Sequence, residues 1–104
     1  YVGDIARGVL ASLQPVGYEI LNLGSDHPVV LSSVIRLIEQ ALGKTANLHY
    51  KPAHSADVSA TWANVDKARQ LLNWSPQISL EEGIRRAVEW YLKNQALADS
   101  VGLE

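Results

Sequence analysis

The chain has 104 residues, a net charge of −2 and a hydrophobic fraction of 47%, which suits one small globular domain. Its nine Lys and Arg residues are scattered, so no basic stripe is available to bind nucleic acid. The absence of Cys excludes a disulfide framework and a thiolate metal site, and it is consistent with a cytoplasmic protein. No apolar run approaches the roughly 20 residues that span a bilayer, so no membrane partner is expected.

The ends of the sequence suggest a piece of a longer protein. The chain contains no Met and begins at Tyr1, already within an apolar pattern. We expect residues 1–102 to form one domain. Leu103-Glu104 follows a polar stretch and is expected to be a cloning remnant.

Two helices and one strand are predicted in the first part of the chain. Apolar residues recur at helical spacing over residues 2–13, and a Pro and a Gly soon afterwards end this helix. The run Y-E-I-L-N-L at residues 18–23 has the composition of a strand and is followed by turn residues. A second amphipathic helix is predicted over residues 31–42, with Gly43 placed to end it.

The middle of the chain is predicted to contain a strand, a loop and a short helix. Residues 47–51, N-L-H-Y-K, have the character of a strand. Residues 52–60 show no periodicity and are expected to form a loop. A short helix through Leu72 follows, with Asn64 or Asp66 as its capping residue.

The last predicted helix has the clearest start signal. The sequence S-L-E-E at residues 79–82 is a capping box. A buried apolar stripe is expected to follow, made by Leu80, Ile84, Ala87, Val88, Tyr91 and Leu92. Helices outnumber strands, so the sequence predicts an α/β fold that is mostly helical with a small sheet.

The loop P-A-H-S-A-D-V-S-A-T-W at residues 52–62 contains the side chains best suited to bind a ligand. The carboxylate of Asp57 can accept hydrogen bonds from ribose hydroxyls, and His54 can donate to phosphate oxygens. The competing interpretation is an ordinary solvated loop with Trp62 packed in the core. The sequence has no Gly-x-Gly-x-x-Gly loop and no metal-ligand spacing of His, so no catalytic, cofactor-binding or metal-binding residue is predicted.

Five motifs, in order and with compatible spacing, resemble those of nucleotide-sugar epimerases. They are Y-V-G-D-I-A-R-G at 1–8, N-L-G at 22–24, P-V-V-L at 28–31, A-D-V-S-A-T-W-A-N-V-D-K-A-R-Q-L-L-N-W-S-P at 56–76 and S-L-E-E-G-I-R-R-A-V-E-W-Y at 79–91. Together they cover nearly the whole chain. The chain resembles the C-terminal part of the extended short-chain dehydrogenase/reductase family, with the UDP-glucose and UDP-glucuronate 4-epimerase types most similar.

The resemblance implies a small substrate-binding C-terminal domain without the Rossmann domain, which in this family holds NAD and the Tyr/Lys catalytic pair. It implies that Asp57 contacts the nucleotide ribose, that His54 lies near the diphosphate and that Leu31 lies against the base. His54 replaces the Arg of many members, which implies a weaker and pH-dependent phosphate contact. Val30 replaces a Ser that would cap the following helix.

The expected function is therefore to form part of the UDP-sugar pocket of an NAD-dependent nucleotide-sugar 4-epimerase. The fragment is expected to be inactive alone, to bind no cofactor itself and to be monomeric, whereas the parent is expected to be a homodimer. Its expected partners are the UDP-sugar and its own N-terminal Rossmann domain. Two alternatives stay open: a non-catalytic nucleotide-sugar binding or interaction module, and a dehydratase or decarboxylase of the same family.

Overall fold

The computed structural model describes residues 1–52 and 56–101, and these residues contain five α-helices and no strand. The chain divides into two compact units. Unit 1 comprises residues 1–29 and 48–79, and unit 2 comprises residues 30–47 and the chain from residue 80 onward. The helices are α1 (Val2–Ala11) and α3 (Asp66–Leu72) in unit 1, and α2 (Leu31–Leu42), α4 (Leu80–Lys93) and α5 (Gln95–Ser100) in unit 2.

The core of unit 1 is built around α3. Val65, Ala68 and Leu72 are buried and recur three or four residues apart, so they share one helix face. Trp74, which is 2% exposed, completes the buried cluster just beyond the end of this helix. Five partly buried residues from other segments of unit 1 pack against the cluster: Ala11, Val16, Leu21, Leu23 and Ala63.

Helix α1 packs in unit 1 through its small side chains rather than its large apolar ones. Its buried residues are Asp4 and Gly8. A Cβ atom at Gly8 would lie 2.6 Å from Leu23 Cδ1 and 3.0 Å from Trp74 Nε1, so the close approach depends on glycine. The large apolar residues of α1 and of the turn after it are exposed: Val2, Ile5, Val9, Leu10 and Leu13.

The fold is mostly helical, as predicted, but the predicted small sheet is wrong for residues 1–52 and 56–101. Neither residues 18–23 nor residues 47–51 form a strand there. A strand requires a neighbouring backbone that completes its hydrogen-bond ladder, and no backbone–backbone hydrogen bond of the described chain involves either segment. Side-chain packing holds residues 18–23 instead, because Leu21 and Leu23 contact the core.

Unit 2 consists of α2, α4 and α5, with α4 in contact with both of the other helices. The apolar stripe of α4 was expected to be buried, but no described residue of α4 is buried. Tyr91 and Leu92, for example, are 41% and 51% exposed. That prediction is wrong because the neighbouring helices of the same unit cover only part of a wide apolar face.

The helix boundaries follow local signals that the sequence contains. Gly43 ends α2 in the left-handed conformation, with φ 63°, and its backbone N–H donates to the carbonyl oxygen of Glu39. The side-chain oxygen of Asn64 accepts the backbone N–H of Asp66, the first residue of α3, at 2.9 Å. Helix α4 begins at Leu80, at the predicted capping box.

Gly43→Ala is expected to lower the free energy of unfolding of unit 2 by about 1 kcal/mol, because a Cβ atom disfavours the left-handed conformation. Gly43→Asn is the matched control and is expected to lose less, because Asn tolerates this conformation better. Urea denaturation followed by circular dichroism measures both changes. An Ala variant as stable as the parent chain would contradict the described end of α2.

Candidate functional site

The predicted ribose contact, Asp57, lies at the surface of unit 1. The residue is exposed and belongs to the irregular segment that leads toward α3. Trp62 is 64% exposed, so the interpretation that placed its indole in the core is wrong. Unit 1 therefore presents a carboxylate and an aromatic side chain on the same exposed segment. His54, the predicted diphosphate contact, lies outside the described residues.

The predicted base contact, Leu31, is the first residue of α2 and is 71% exposed. It belongs to unit 2, whereas Asp57 belongs to unit 1. Val30 precedes it as the N-cap and makes no side-chain capping hydrogen bond, which agrees with the missing cap expected from the sequence. Leu31 thus offers an exposed apolar side chain of the kind that contacts a base.

The segment containing Asp57 is fixed where it returns to the core of unit 1. The backbone N–H of Ala63 donates to the carbonyl oxygen of Ser25 at 2.9 Å. The side-chain amide of Asn22 donates to the carbonyl oxygen of Asn64 at 3.2 Å. Val65, one residue later, is 1% exposed. The structure therefore holds one end of the candidate binding segment against residues 22–25.

A buried carboxylate, Asp4, is a feature of unit 1 that was not predicted from the sequence. Asp4 is 3% exposed, and its Oδ1 accepts hydrogen bonds from the Arg7 guanidinium at 2.6 Å and the backbone N–H of Gln77 at 3.1 Å. Its Oδ2 accepts the backbone N–H of Ile78 at 3.0 Å. The signal available in the sequence was the single acidic residue of the Y-V-G-D-I-A-R-G motif at residues 1–8.

The groups that contact the Asp4 carboxylate lower its pKa by more than burial raises it. Burial raises the pKa of this carboxyl, but the hydrogen bonds from Arg7, Ile78 and Gln77 and the charge of Arg7 together hold it below its ordinary value of 3.8. Trp74 Nε1 also donates to the backbone carbonyl of Asp4 at 2.8 Å. Protein groups occupy both carboxylate oxygens, so Asp4 has a structural role that fixes residues 74–78 against α1.

A second charged cluster joins the turn after residue 24 to α3. The Arg69 guanidinium contacts Asp26 at 2.6 Å and Asp66 at 2.9 Å, and His27 Nδ1 lies 2.6 Å from Asp26. The hydrogen bond from Arg69 is the main reason that the pKa of Asp26 lies below its ordinary value. These groups are solvated and satisfy one another, so the cluster contributes modestly to stability.

A groove in unit 2 is apolar and suits packing rather than phosphate binding. It has a volume of about 240 Å³ and lies between α2 and α4, lined by Ile38, Leu42, Ile84, Ala87, Val88 and Tyr91. Its lining offers no charged group to a diphosphate. Among residues 1–52 and 56–101, no group of three or more His, Cys, Asp or Glu could hold a metal ion. None of the helices described combines the length and apolarity that crossing a membrane requires.

No family model matches the chain, but individual proteins do. The chain is 48% identical over 102 residues to UDP-glucuronate 4-epimerase of Thermodesulfobacterium geofontis, a match that covers 97% of this chain and 32% of that protein. It is 31% identical over 107 residues to UDP-glucuronate 4-epimerase 4 of Arabidopsis thaliana, covering 88% of this chain and 24% of that protein.

A solved structure has the same fold. UDP-glucuronic acid 4-epimerase from Bacillus cereus, in complex with UDP-glucuronic acid and NAD, matches with a TM-score of 0.78 and 27% sequence identity, over 89% of this chain and 31% of the solved chain. The chain therefore spans a quarter to a third of the length of these proteins. The matched region is their C-terminal part.

Proposed function

Because the chain belongs to the extended short-chain dehydrogenase/reductase family of nucleotide-sugar epimerases and matches the C-terminal part of its members, we propose that it forms one wall of a UDP-sugar pocket in an NAD-dependent 4-epimerase. The observation that carries this proposal is the near-complete coverage of the chain by UDP-glucuronate 4-epimerases. Fold alone does not fix a reaction. The proposed substrate class therefore follows from these relatives.

On this proposal the chain contributes binding and not chemistry. Its sequence contains neither a Gly-rich dinucleotide loop nor a Tyr-x-x-x-Lys pair, so hydride transfer to NAD and proton transfer at the sugar belong to the rest of the enzyme. Asp57 accepts hydrogen bonds from the two ribose hydroxyls, as an ionised carboxylate can do with its two oxygens. Leu31 contacts the base, and His54 donates to the diphosphate.

A chimera tests the proposed function directly. The C-terminal third of the Thermodesulfobacterium geofontis epimerase is replaced by this chain, to which it is 48% identical. We expect the chimera to bind NAD and to interconvert UDP-glucuronic acid with its C4 epimer, measured by anion-exchange chromatography. A folded chimera that binds NAD and leaves UDP-glucuronic acid unchanged would contradict the proposal. A dehydrated or decarboxylated product would instead support the dehydratase or decarboxylase alternative.

Asp57→Asn is expected to raise the KM of the chimera for UDP-glucuronic acid by roughly tenfold to a hundredfold, because each ribose hydroxyl loses a charge-assisted hydrogen bond. Asp99→Asn is the matched control, since Asp99 is an exposed carboxylate of α5, and its KM is expected to stay unchanged. His54→Gln, assayed beside them, is expected to weaken the diphosphate contact. Equal KM values for the Asp57 and Asp99 variants would contradict the proposed contact between Asp57 and the ribose.

The exposed apolar side of α1 is proposed to contact the remainder of the epimerase. Val2, Val9, Leu10 and Leu13 are between 55% and 79% exposed, and full-length relatives are about three times longer than this chain. Burying these exposed apolar side chains against another domain would stabilise the contact between the two domains. The proposed occupant is the N-terminal Rossmann domain of the same polypeptide.

Leu10→Lys is expected to reduce self-association of the isolated chain and to destabilise the chimera. In the isolated chain it removes exposed apolar surface and reduces self-association, measured by sedimentation at several concentrations. In the chimera it weakens the contact with the Rossmann domain by about 2 kcal/mol, which thermal unfolding detects as a lower midpoint. Gln40→Lys, at an exposed polar position of α2, is expected to change neither. An unchanged unfolding midpoint of the chimera with Leu10→Lys would contradict a contact between α1 and the Rossmann domain.

A further inference from the structure

The contacts of the buried Asp4 join the first turn of α1 to the Trp74 indole. Trp74 Nε1 donates to the carbonyl oxygen of Asp4 at 2.8 Å. The Asp4 carboxylate also accepts the backbone N–H groups of residues 77 and 78, a few positions further along the chain. Asp4 is 3% exposed and Trp74 is 2% exposed. Asp4 therefore holds the indole in place from inside the core of unit 1.

The Trp74 indole belongs to the cluster on which the Asp57 segment is anchored. Ala63 packs against the buried cluster that contains Trp74, and its backbone N–H donates to the carbonyl oxygen of Ser25 at 2.9 Å. Asp57 precedes Ala63 by six residues in the same irregular segment. A continuous series of hydrogen-bonded or packed groups within unit 1 therefore leads from Asp4 through Trp74 to the anchored end of the segment that contains Asp57.

Close packing leaves little room for these groups to move independently. A Cβ atom at Gly8 of α1 would lie 3.0 Å from Trp74 Nε1, and a Cβ atom at Gly24 would lie 3.0 Å from the Ala63 Cβ atom. Close-packed interiors have low compressibility and transmit strain from one group to the next. A displacement of α1 against Trp74 therefore reaches the anchor at Ala63.

We propose that Asp4 is a positioning residue for the contact between Asp57 and the ribose of the UDP-sugar. Protein groups already occupy both oxygens of the Asp4 carboxylate, so Asp4 acts through Trp74 and Ala63 and not by touching the substrate. Hydrogen bonds weaken steeply with distance and angle, so small displacements of the Asp57 carboxylate weaken its two bonds to the ribose. The inference rests on the proposed function, because it takes Asp57 as the ribose contact.

A double-mutant cycle in the chimera described above tests this role. The Kd for UDP is measured by calorimetry with NAD bound, for the parent chimera, Asp4→Asn, Asp57→Asn and the double variant. Asp4→Asn, which preserves the size of the side chain, is expected to raise the Kd roughly fivefold. Asp57→Asn is expected to raise it roughly tenfold to a hundredfold. The double variant is expected to bind UDP as Asp57→Asn does, because Asp4 acts only through Asp57.

Two further variants separate positioning from a loss of stability. Gly43→Ala destabilises unit 2, which contains neither Asp4 nor Asp57, and its Kd for UDP is expected to equal that of the parent chimera. Trp74→Phe removes the hydrogen bond from Nε1 to the Asp4 carbonyl oxygen and is expected to raise the Kd, again only while Asp57 is present. Trp74→Phe replaces Asp4→Asn in the cycle if that variant does not fold.

The outcomes distinguish this inference from the proposed function. Additive effects of Asp4→Asn and Asp57→Asn on the Kd overturn the positioning role and leave Asp57 as the ribose contact. An unchanged Kd for Asp4→Asn overturns it as well, and an unchanged Kd for Asp57→Asn overturns both the role and the ribose contact. Non-additive effects in a chimera that binds UDP without epimerising UDP-glucuronic acid support the positioning role and count against the proposed function. A chimera that does not bind UDP overturns both.

Discussion

Replacing Asp4 with Ala is expected to lower the free energy of unfolding by about 3 kcal/mol, because it leaves two backbone donors without their charged acceptor. The donors are the N–H groups of Gln77 and Ile78, which the carboxylate accepts at 3.1 Å and 3.0 Å. The loss also frees residues 74–78 from α1. Urea denaturation measures the change, and Asp99→Ala on the exposed surface of α5 is the control expected to stay within about 0.5 kcal/mol of the parent chain.

We expect the two backbone donors together to contribute more to the stabilisation by Asp4 than Arg7 does. The Arg7 side chain is 37% exposed, so solvent screens its ion pair with Asp4. Arg7→Ala is therefore expected to destabilise the chain by about 1 kcal/mol, less than Asp4→Ala. If Arg7→Ala and Asp4→Ala lower the free energy of unfolding equally, the Asp4 carboxylate does not stabilise the chain mainly through the N–H groups of residues 77 and 78.

Acid should remove the stabilising effect of Asp4. Because its pKa is lower in the folded chain than its ordinary value of 3.8, its contribution is complete above the unfolded pKa and is lost as the pH falls through the folded pKa. The stability difference between the parent chain and Asp4→Ala is thus constant near about pH 6 and shrinks below about pH 4. Glu82, whose pKa is lowered to about 2 by Arg85 and Arg86, is present in both proteins and cancels from this difference.

Local signals explain which parts of the fold the sequence predicted. Helix α2 has the predicted bounds of residues 31–42 because its apolar period is regular and Gly43 adopts the left-handed conformation that ends it. Helix α4 begins at Leu80, where the capping box predicts it. These features depend on residues within one or two turns of each other, so a single sequence contains the required information.

Features that depend on distant partners were not predicted. Residues 18–23 have the composition of a strand, but a strand also needs a neighbouring backbone, and no backbone–backbone hydrogen bond of the described chain involves these residues. The burial of Asp4 was not predicted, because it depends on the backbone of residues more than 70 positions away. The exposed side of α1 is a related case, since periodicity shows that a stripe is apolar without showing what covers it.

The family was predicted correctly from five motifs in register, and relatives among the UDP-glucuronate 4-epimerases confirm it. The site residues were carried over from the same resemblance and stay predictions. Asp57 and Leu31 are both exposed, so each side chain is accessible to a ligand.

Trp74→Ala is expected to have the largest effect of any single change, lowering the free energy of unfolding by about 3 to 5 kcal/mol. Trp74 is 2% exposed and is the largest side chain in a buried cluster that also contains Val65, Ala68 and Leu72. A cluster this small cannot refill the space of an indole by repacking. Domains usually have a total free energy of unfolding of about 5 to 15 kcal/mol. Unit 1 of the Trp74→Ala variant is therefore expected to be largely unfolded in moderate urea.

Two further variants separate the contributions of Trp74. Trp74→Phe keeps much of the apolar contact but removes the hydrogen bond from Nε1 to the Asp4 carbonyl oxygen, so a loss of about 1 to 2 kcal/mol is expected. Trp62→Ala is the matched control, because Trp62 lies in the same unit and is 64% exposed. If Trp62→Ala and Trp74→Ala shift the urea midpoint equally, Trp74 is not part of the core of unit 1, contrary to the described cluster. If only Trp74→Ala shifts it, the indole joins α1 to α3 through apolar packing and its bond to Asp4.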